Sequence, residues 1–393
     1  MKRQANFILI LQSLLILAAI STAPAQSNDA AHFSRGLSTD LSYFPIAVWL
    51  QDPSQAIRYK AAGINLYVGL WRGPTERQLA QLKAADMRLF CSQNRVALAH
   101  LDDPTIAGWM QEDEPDNAQE VRDPVTGKRH YGAPVKPSKV VEIYQKMHQL
   151  DPTRPVMLNL GQWVANRDWN GRGSEGKPSD YLTYVQGGDI LSFDVYPIAS
   201  YEKPNYQDYL WLVAKGVDQL REWGGPDKIV WNALECTHIG NTDRQANPSQ
   251  VRTEVWMSII HGSRGIIWFV HQFKPKFDEH ALLDDPKMLA AVSAINAQIH
   301  QLAPAINSKE PAEVKVSSSN AEVPIDILAR KSQAATYVFA VAMRNAASTG
   351  TFTLGEKSAH QAEVLGENRK VEIKDGQFVD SFAPFAVHLY KID

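Results

Sequence analysis

Between residues 44 and 270, short apolar runs and helix-patterned stretches alternate eight times, and this alternation limits the fold more than any other feature of the chain. The apolar runs lie at 44–49, 64–70, 87–92, 106–111, 156–161, 190–196, 229–234 and 265–270. Most sit next to a turn signal, as strands buried on both faces of a parallel sheet do. Asp52-Pro53 opens the first helix pattern with an N-cap and a first-turn proline, and Gly63 closes it. Thr75 starts "TERQLAQLKAA", and longer helix patterns follow in "SKVVEIYQKMHQL", "YQDYLWLVAKGVDQLREWG", "PSQVRTEVWMSIIHG" and "KMLAAVSAINAQIHQLAPAI". The segments after the third and fifth runs carry a weaker helix pattern.

Eight β-then-α units within about 260 residues match the count and size of a (β/α)8 TIM barrel. A doubly wound sheet would carry a glycine-rich phosphate turn after its first strand, and "VWLQDPSQA" has none. The expected class is therefore α/β, with the barrel over residues 26–307. From 308 to 393 the texture changes to alternating segments such as "ATYVFAVAMR" and "RKVEIKDGQFVDSF", with an Asp375-Gly376 hairpin signal. This predicts a C-terminal antiparallel β-sandwich. Residues 118–137 read as an insertion beside the barrel mouth.

The first 25 residues have the pattern of a signal peptide. Lys2 and Arg3 precede an apolar run over 7–20, and Ala23-Pro24-Ala25 fits a cleavage site. The run is too short and interrupted for a good membrane span. The expectation is an exported protein, periplasmic or secreted, with no membrane association after cleavage. Cys91 and Cys236 fall on opposite sides of the expected barrel, too far apart to bridge, and read as buried free thiols. A formal net charge of -3 supplies no general field to recruit nucleic acid.

In such barrels the chemistry gathers at the C-terminal ends of the strands. "GWMQEDEPDN" places Glu112, Asp113 and Glu114 just past the fourth strand, where a carboxylate is costly unless used. Glu235 ends "IVWNALE" on the seventh. Two carboxyl groups flanking a bond are what glycoside hydrolysis requires, one to protonate the leaving oxygen and one to attack carbon or activate water.

"DEP" at 113–115 and "LE" at 234–235 resemble the retaining glycosidases of the (β/α)8-barrel clan (GH-A type) that carry catalytic glutamates on strands four and seven. The clan shows Asn-Glu-Pro at the first site; here Asp113 replaces Asn, and it can still accept from a sugar 2-hydroxyl. The resemblance implies Glu114 as acid/base, Glu235 as nucleophile and retention of configuration, with carboxyls roughly 5–5.5 Å apart against about 6.5–9.5 Å for inversion. Glu112 competes for the acid role, since residues i and i+2 of a strand point the same way. The clan also implies a Tyr holding the nucleophile ionised, here Tyr196, a subsite floor at Trp268 and an arginine near the nucleophile, here Arg72. A core Trp is the competing role for Trp268, and the one favoured for Trp231 and Trp256.

Sugars present apolar C–H faces with polar rims, so aromatic platforms suit them. Trp49, Trp71, Trp163 and Trp169 fall at or past strand ends, and Asn159, Gln162 and His238 are candidate hydroxyl binders. No H-E-x-x-H or Cys/His cluster, no Gly-x-Ser-x-Gly and no P-loop occurs, and glycoside hydrolysis needs no cofactor. The expected function is an exported retaining β-glycoside hydrolase of an oligo- or polysaccharide, with β-glucan favoured. A carbohydrate-binding protein that has lost catalysis and a transglycosylase are the alternatives.

Overall fold

The computed structural model describes residues 33–168 and 177–393. Eight parallel strands form its centre: β1 (Ile46–Trp49), β2 (Leu66–Val68), β3 (Arg88–Cys91), β4 (Ile106–Met110), β5 (Val156–Leu160), β6 (Ile190–Phe193), β7 and β8 (Ile266–Phe269). β7 is broken at Trp231 into Ile229–Val230, which pairs with β6, and Asn232–Glu235, which pairs with β8. β8 pairs in turn with β1, so the sheet closes into a barrel. The strands fall in the expected runs, the seventh reaching one residue further, to Glu235.

The period of two along each strand sorts the apolar residues into two layers. Ala47, Leu66, Val68, Phe90, Met157, Trp231 and Ile267 fill the barrel interior. Their neighbours Ile46, Val48, Leu89, Ile106, Leu158, Phe193 and Ile266 pack outward under the helices. Phe90 meets Trp231 edge-on at 5.5 Å between ring centroids. A Cβ on Gly108 would lie 2.1 Å from the Phe90 ring, so β4 needs glycine there for Phe90 to occupy the centre.

The barrel helices are α1 (Ala56–Ala61), α2 (Glu76–Ala84), α3 (Arg95–Ala99), α4 (Pro137–Leu150), α5 (Pro178–Tyr184), α6 (Leu212–Gly224), α7 (Pro248–Ile260) and α8 (Pro286–Ile306), with one further short turn of helix at Ala281–Asp284. α2 begins with a reciprocal capping box between Thr75 and Gln78, and α7 with one between Asn247 and Gln250. α3 and α5, after the third and fifth strands, are the short helices that the weak pattern foreshadows. Residues 118–137 include an exposed hairpin of Glu120–Arg122 and Arg129–Tyr131.

The C-terminal strands are β9 (Val314–Ser318), β10 (Ile325–Ser332), β11 (Ala335–Ala342), β12 (Ser348–Leu354), β13 (Gln361–Val364), β14 (Arg369–Glu372), β15 (Gln377–Phe382) and β16 (Val387–Ile392). They build two antiparallel sheets, β9-β12-β15 and β10-β11-β16-β13-β14. Phe352 and Phe378 of one sheet pack on Tyr390 of the other at 5.3 and 5.0 Å. Asp375 and Gly376 both take positive φ, and their turn carries the chain from one sheet to the other.

Helix α7 lies between barrel and sandwich. Trp256 packs on Phe339 at 5.2 Å, the Thr253 hydroxyl donates to Phe385 O, and Arg252 donates to Val387 O. This explains why nine of the thirteen residues of α7 are buried, charged Glu254 included. Cys91 and Cys236 are buried free thiols. Among the described residues no helix is long and apolar enough to cross a membrane.

Candidate active site

The loop after β4 carries its acids in a tight reversal. Glu112 and Asp113 are exposed, while Glu114 is half-buried and takes a left-handed backbone (φ 43°), costing roughly 1–2 kcal/mol for a residue with a Cβ. Two anchors hold that conformation. The Glu114 N–H donates to Asn159 O at 3.1 Å. Asp116 is buried and accepts from Gly161 N and, at 2.7 Å, from the Tyr181 hydroxyl. Burial pushes the Asp116 carboxyl up to about 6 despite these donors.

Asn159, near the end of β5, is the centre of the arrangement. Its amide nitrogen donates to Asp113 Oδ1 and to Asp194 Oδ1, each at 2.9 Å. Its own oxygen accepts from Ser192 Oγ at 2.6 Å, which fixes which way the amide faces. Asp194 follows β6 directly, and its second oxygen accepts from the Tyr196 hydroxyl at 2.8 Å. Burial raises the Asp194 carboxyl well above the ordinary range, and the neighbouring charges of Glu114 and Asp113 raise it further. Asp194 is therefore pushed toward its neutral form beside two other carboxyl groups.

Glu235 has a different setting from the one expected. It is fully buried. Its two oxygens accept from Ile198 N and Ala199 N, both at 2.7 Å, in the loop after β6. Burial raises its carboxyl to about 7, against those two donors, and Glu254 of α7 lies beside it. Glu254 is raised well above the usual range by burial and by Glu235, because two adjacent carboxyls in the interior cannot both ionise. The charge of Arg244 acts the other way on Glu235. Glu235 is thus enclosed in the wall with Glu254 as its partner carboxyl, and Tyr196 bonds to Asp194 instead of to it. A strand end specifies a position, and the loop from β6 has closed over this one.

The remaining expected binders divide. Asn159 and Tyr196 belong to the cluster around Asp194. Trp268 is a core residue: it faces the helix layer, and its indole N–H donates to Asn296 of α8 at 3.0 Å. Trp163 is stacked on Tyr181 at 4.8 Å with the Arg167 guanidinium 4.1 Å over it, part of the packing under the helices. Trp49 packs in the barrel interior. Trp231 and Trp256 are core, as favoured. Trp71 and Arg72 are exposed at the end of β2, with Arg72 in a left-handed conformation. His238 is half-buried and contacts Arg244 O through Nδ1. Gln162 is buried. Trp169 lies outside the described residues.

Sequence reasoning missed two features. Asp194 stands inside "ILSFDVYP", where it reads as one polar residue within a strand, although an acid there was itself the signal. The second is a group of rings around His271 in "WFVHQFKPKF", after β8. Phe269 lies 5.2 Å from both Tyr196 and His271, and Phe273 and Phe277 each lie 6.1 Å from His271. The described residues also include one group able to hold a metal ion, Asp278, His280 and Asp284, with ligand atoms within 4.8 Å.

A carboxyl pushed toward its neutral form beside a second carboxyl group is equipped for general acid catalysis with a nucleophilic partner. Two oxygens that each lie 2.9 Å from one nitrogen are no more than twice that, about 5.8 Å, apart. That bound is below the separation of about 6.5–9.5 Å that leaves room for an attacking water.

No family model matches the chain, and no curated protein does. Solved structures do. A single-residue variant of AmyP in complex with maltotriose aligns over 90% of this chain and 97% of its own at 10% identity, with a TM-score of 0.53. AmyP in complex with maltose aligns over 89% and 96% at 9% identity, with a TM-score of 0.50. A putative alpha-galactosidase from Bacteroides fragilis NCTC 9343 aligns over 90% and 80% at 11% identity, with a TM-score of 0.49. At such identities the likeness is one of architecture, and it extends over nearly the whole of AmyP: the chain has the fold of a (β/α)8 barrel with a C-terminal pair of antiparallel sheets.

Proposed function

We propose that the protein is a glycoside hydrolase that works with retention, using Asp194 as acid/base and Asp113 as nucleophile. The observation that carries this is the shared Asn159 amide, which holds the two carboxyls no more than about 5.8 Å apart. The likeness in fold to AmyP, which binds maltotriose and maltose, supports a carbohydrate as the substrate.

In the first step Asp113 attacks the anomeric carbon while Asp194 gives its proton to the departing glycosidic oxygen. The C–O bond breaks, the leaving sugar departs neutral, and a glycosyl ester forms on Asp113. In the second, the Asp194 carboxylate takes a proton from water, which attacks the anomeric carbon. The ester bond breaks, the sugar leaves with a new hydroxyl, and Asp194 is protonated again. Glu114 raises the proton affinity of Asp194. Tyr196 and Asn159 hold the Asp194 oxygens, leaving its own O–H to point at the leaving group. Glu114 acts here by its charge, and Glu235 shapes the loop that follows β6. Export belongs to the same proposal and rests on residues 1–25, outside the described residues.

The test is intact-mass spectrometry after incubation with a panel of 2-deoxy-2-fluoro glycosyl fluorides, alongside product sizing on β- and α-linked polysaccharides, β-glucans first. A one-to-one adduct that maps to Asp113 and is lost in Asp113→Asn is the expected result. An adduct on Glu235 would restore the pairing of strands four and seven. No adduct together with no product from any polysaccharide would overturn the hydrolase proposal.

A further inference from the structure

Large apolar side chains scattered singly over a surface are ordinary, but half-exposed rings converging on one point call for a ligand. Trp71, Phe273 and Phe277 are 48%, 48% and 50% exposed, and all three pack around His271, which is buried. They come from the loops after β2 and β8, at the same end of the barrel as Asp113 and Asp194.

The support beneath them is built to stay in place. The Gln51 amide lies 3.3 Å from His271 Nε2 and donates to Glu279 O at 2.6 Å, while its oxygen accepts from the Tyr59 hydroxyl at 2.5 Å. The Thr237 hydroxyl donates to His271 O at 2.6 Å, tying the loop after β8 to the one after β7. Burial depresses the His271 imidazole to about 4, so it is neutral under the rings at ordinary pH.

The rings also continue inward. Phe273 lies 6.1 Å from Phe269, and Phe269 lies 5.2 Å from Tyr196, whose hydroxyl is bonded to Asp194. Beside Phe277 is a cavity of about 350 Å³, with Asp278, Glu279 and His280 in its lining to accept hydroxyl protons. The lining also holds Asp284 and Lys276, three acids to one lysine, and apolar faces beside such a surface suit an uncharged sugar better than an anionic one.

We propose that Trp71, Phe273 and Phe277 form a remote subsite that stacks a neutral sugar unit of a chain whose other end spans Asp113 and Asp194. This inference rests on the hydrolase reading above and names its substrate as a neutral oligomeric glycan. Rigid rings bind at little entropic cost, so each sugar that reaches them adds affinity.

The experiment is isothermal titration of neutral gluco- and xylo-oligosaccharides of increasing length into the full chain carrying Asp194→Asn, which slows turnover enough to read binding. The expected result is an affinity that climbs about tenfold or more as the chain grows long enough to reach the rings. Adding Trp71→Ala, or Phe273→Ala with Phe277→Ala, should reduce that gain to roughly threefold or less. The two changes lie on separate loops at exposed positions, so a folding defect in one leaves the other as the test. If the wild type cleaves glycans and the gain persists in both variants, the subsite is wrong and the hydrolase proposal stands. If no glycan is bound or cleaved by any form, both fall.

Discussion

Asp113 and Asp194 accept hydrogen bonds from the same amide nitrogen, that of Asn159, although they follow different strands, β4 and β6. The intervening strand β5 supplies the donor, so the distance between the carboxyls is set by the barrel's own strand spacing. Asn159→Ala should release both groups while leaving their chemistry intact. The expected outcome is a fall of about 10²-fold in kcat/KM, the scale set by small misplacements of reacting groups. Steady-state kinetics on whichever glycan is cleaved would show it, and an unchanged rate would remove Asn159 from the mechanism.

The two aspartates should fail in different ways. Asp194→Asn deprives the leaving group of its proton, so turnover of natural glycans should drop by about 10²–10⁴-fold. Aryl glycosides with acidic phenols need no such help and should lose far less. Asp113→Asn removes the attacking oxygen and should abolish both reactions. Comparing the variants on leaving groups of graded acidity separates the roles, and equal losses across the series would argue against the assignment.

Glu114 enters the same scheme through its charge. Asp194 works as an acid only while protonated, and Glu114 is one of the charges that keep its affinity for that proton high. Activity is therefore lost as pH rises through the Asp194 pKa. Glu114→Gln lowers that pKa and should move the alkaline limb of the kcat/KM profile downward by roughly one pH unit, the size of a single close charge effect. A limb that stays in place, with a loss of rate at every pH, would instead make Glu114 a participant in the chemistry.

The barrel was readable because strands buried on both faces must be apolar runs, and eight such runs with caps between them allow few other solutions. The sandwich was readable from its period of two and its turns. The site was only half so. Sequence position shows that Glu235 ends a strand, but the turn of its side chain depends on the loop after β6, whose Ile198 and Ala199 amides claim both oxygens. Asp194 was hidden for the opposite reason: it sits inside an apolar stretch that runs past the strand's true end at Phe193. Trp268 and Trp163 show the limit of counting aromatics near strand ends, since one residue's difference in phase turns a ring from the mouth to the helix layer.

The pair of Glu235 and Glu254 makes a prediction about stability. Both carboxyls are raised in the folded protein, Glu235 to about 7, so folding favours their neutral forms. A raised carboxyl contributes stability that is fully present below its unfolded pKa, about 4.3 for a glutamate, and is lost as pH rises through the folded value. The contribution of Glu235 should therefore fade between pH values of about 4.3 and 7 and beyond, and that of Glu254 fades in the same direction. Glu254→Gln replaces the neighbouring carboxyl with an amide donor of nearly the same shape that cannot ionise. Glu235 can then ionise while bonded to two backbone N–H groups and that amide. The variant's Tm should exceed that of the wild type by roughly 2–4 °C at pH 8, about the effect of 1 kcal/mol on a chain of this class, and the difference should vanish near pH 4. Thermal melting across that range checks it: a parallel offset at all pH values would mean that the two glutamates do not share a proton.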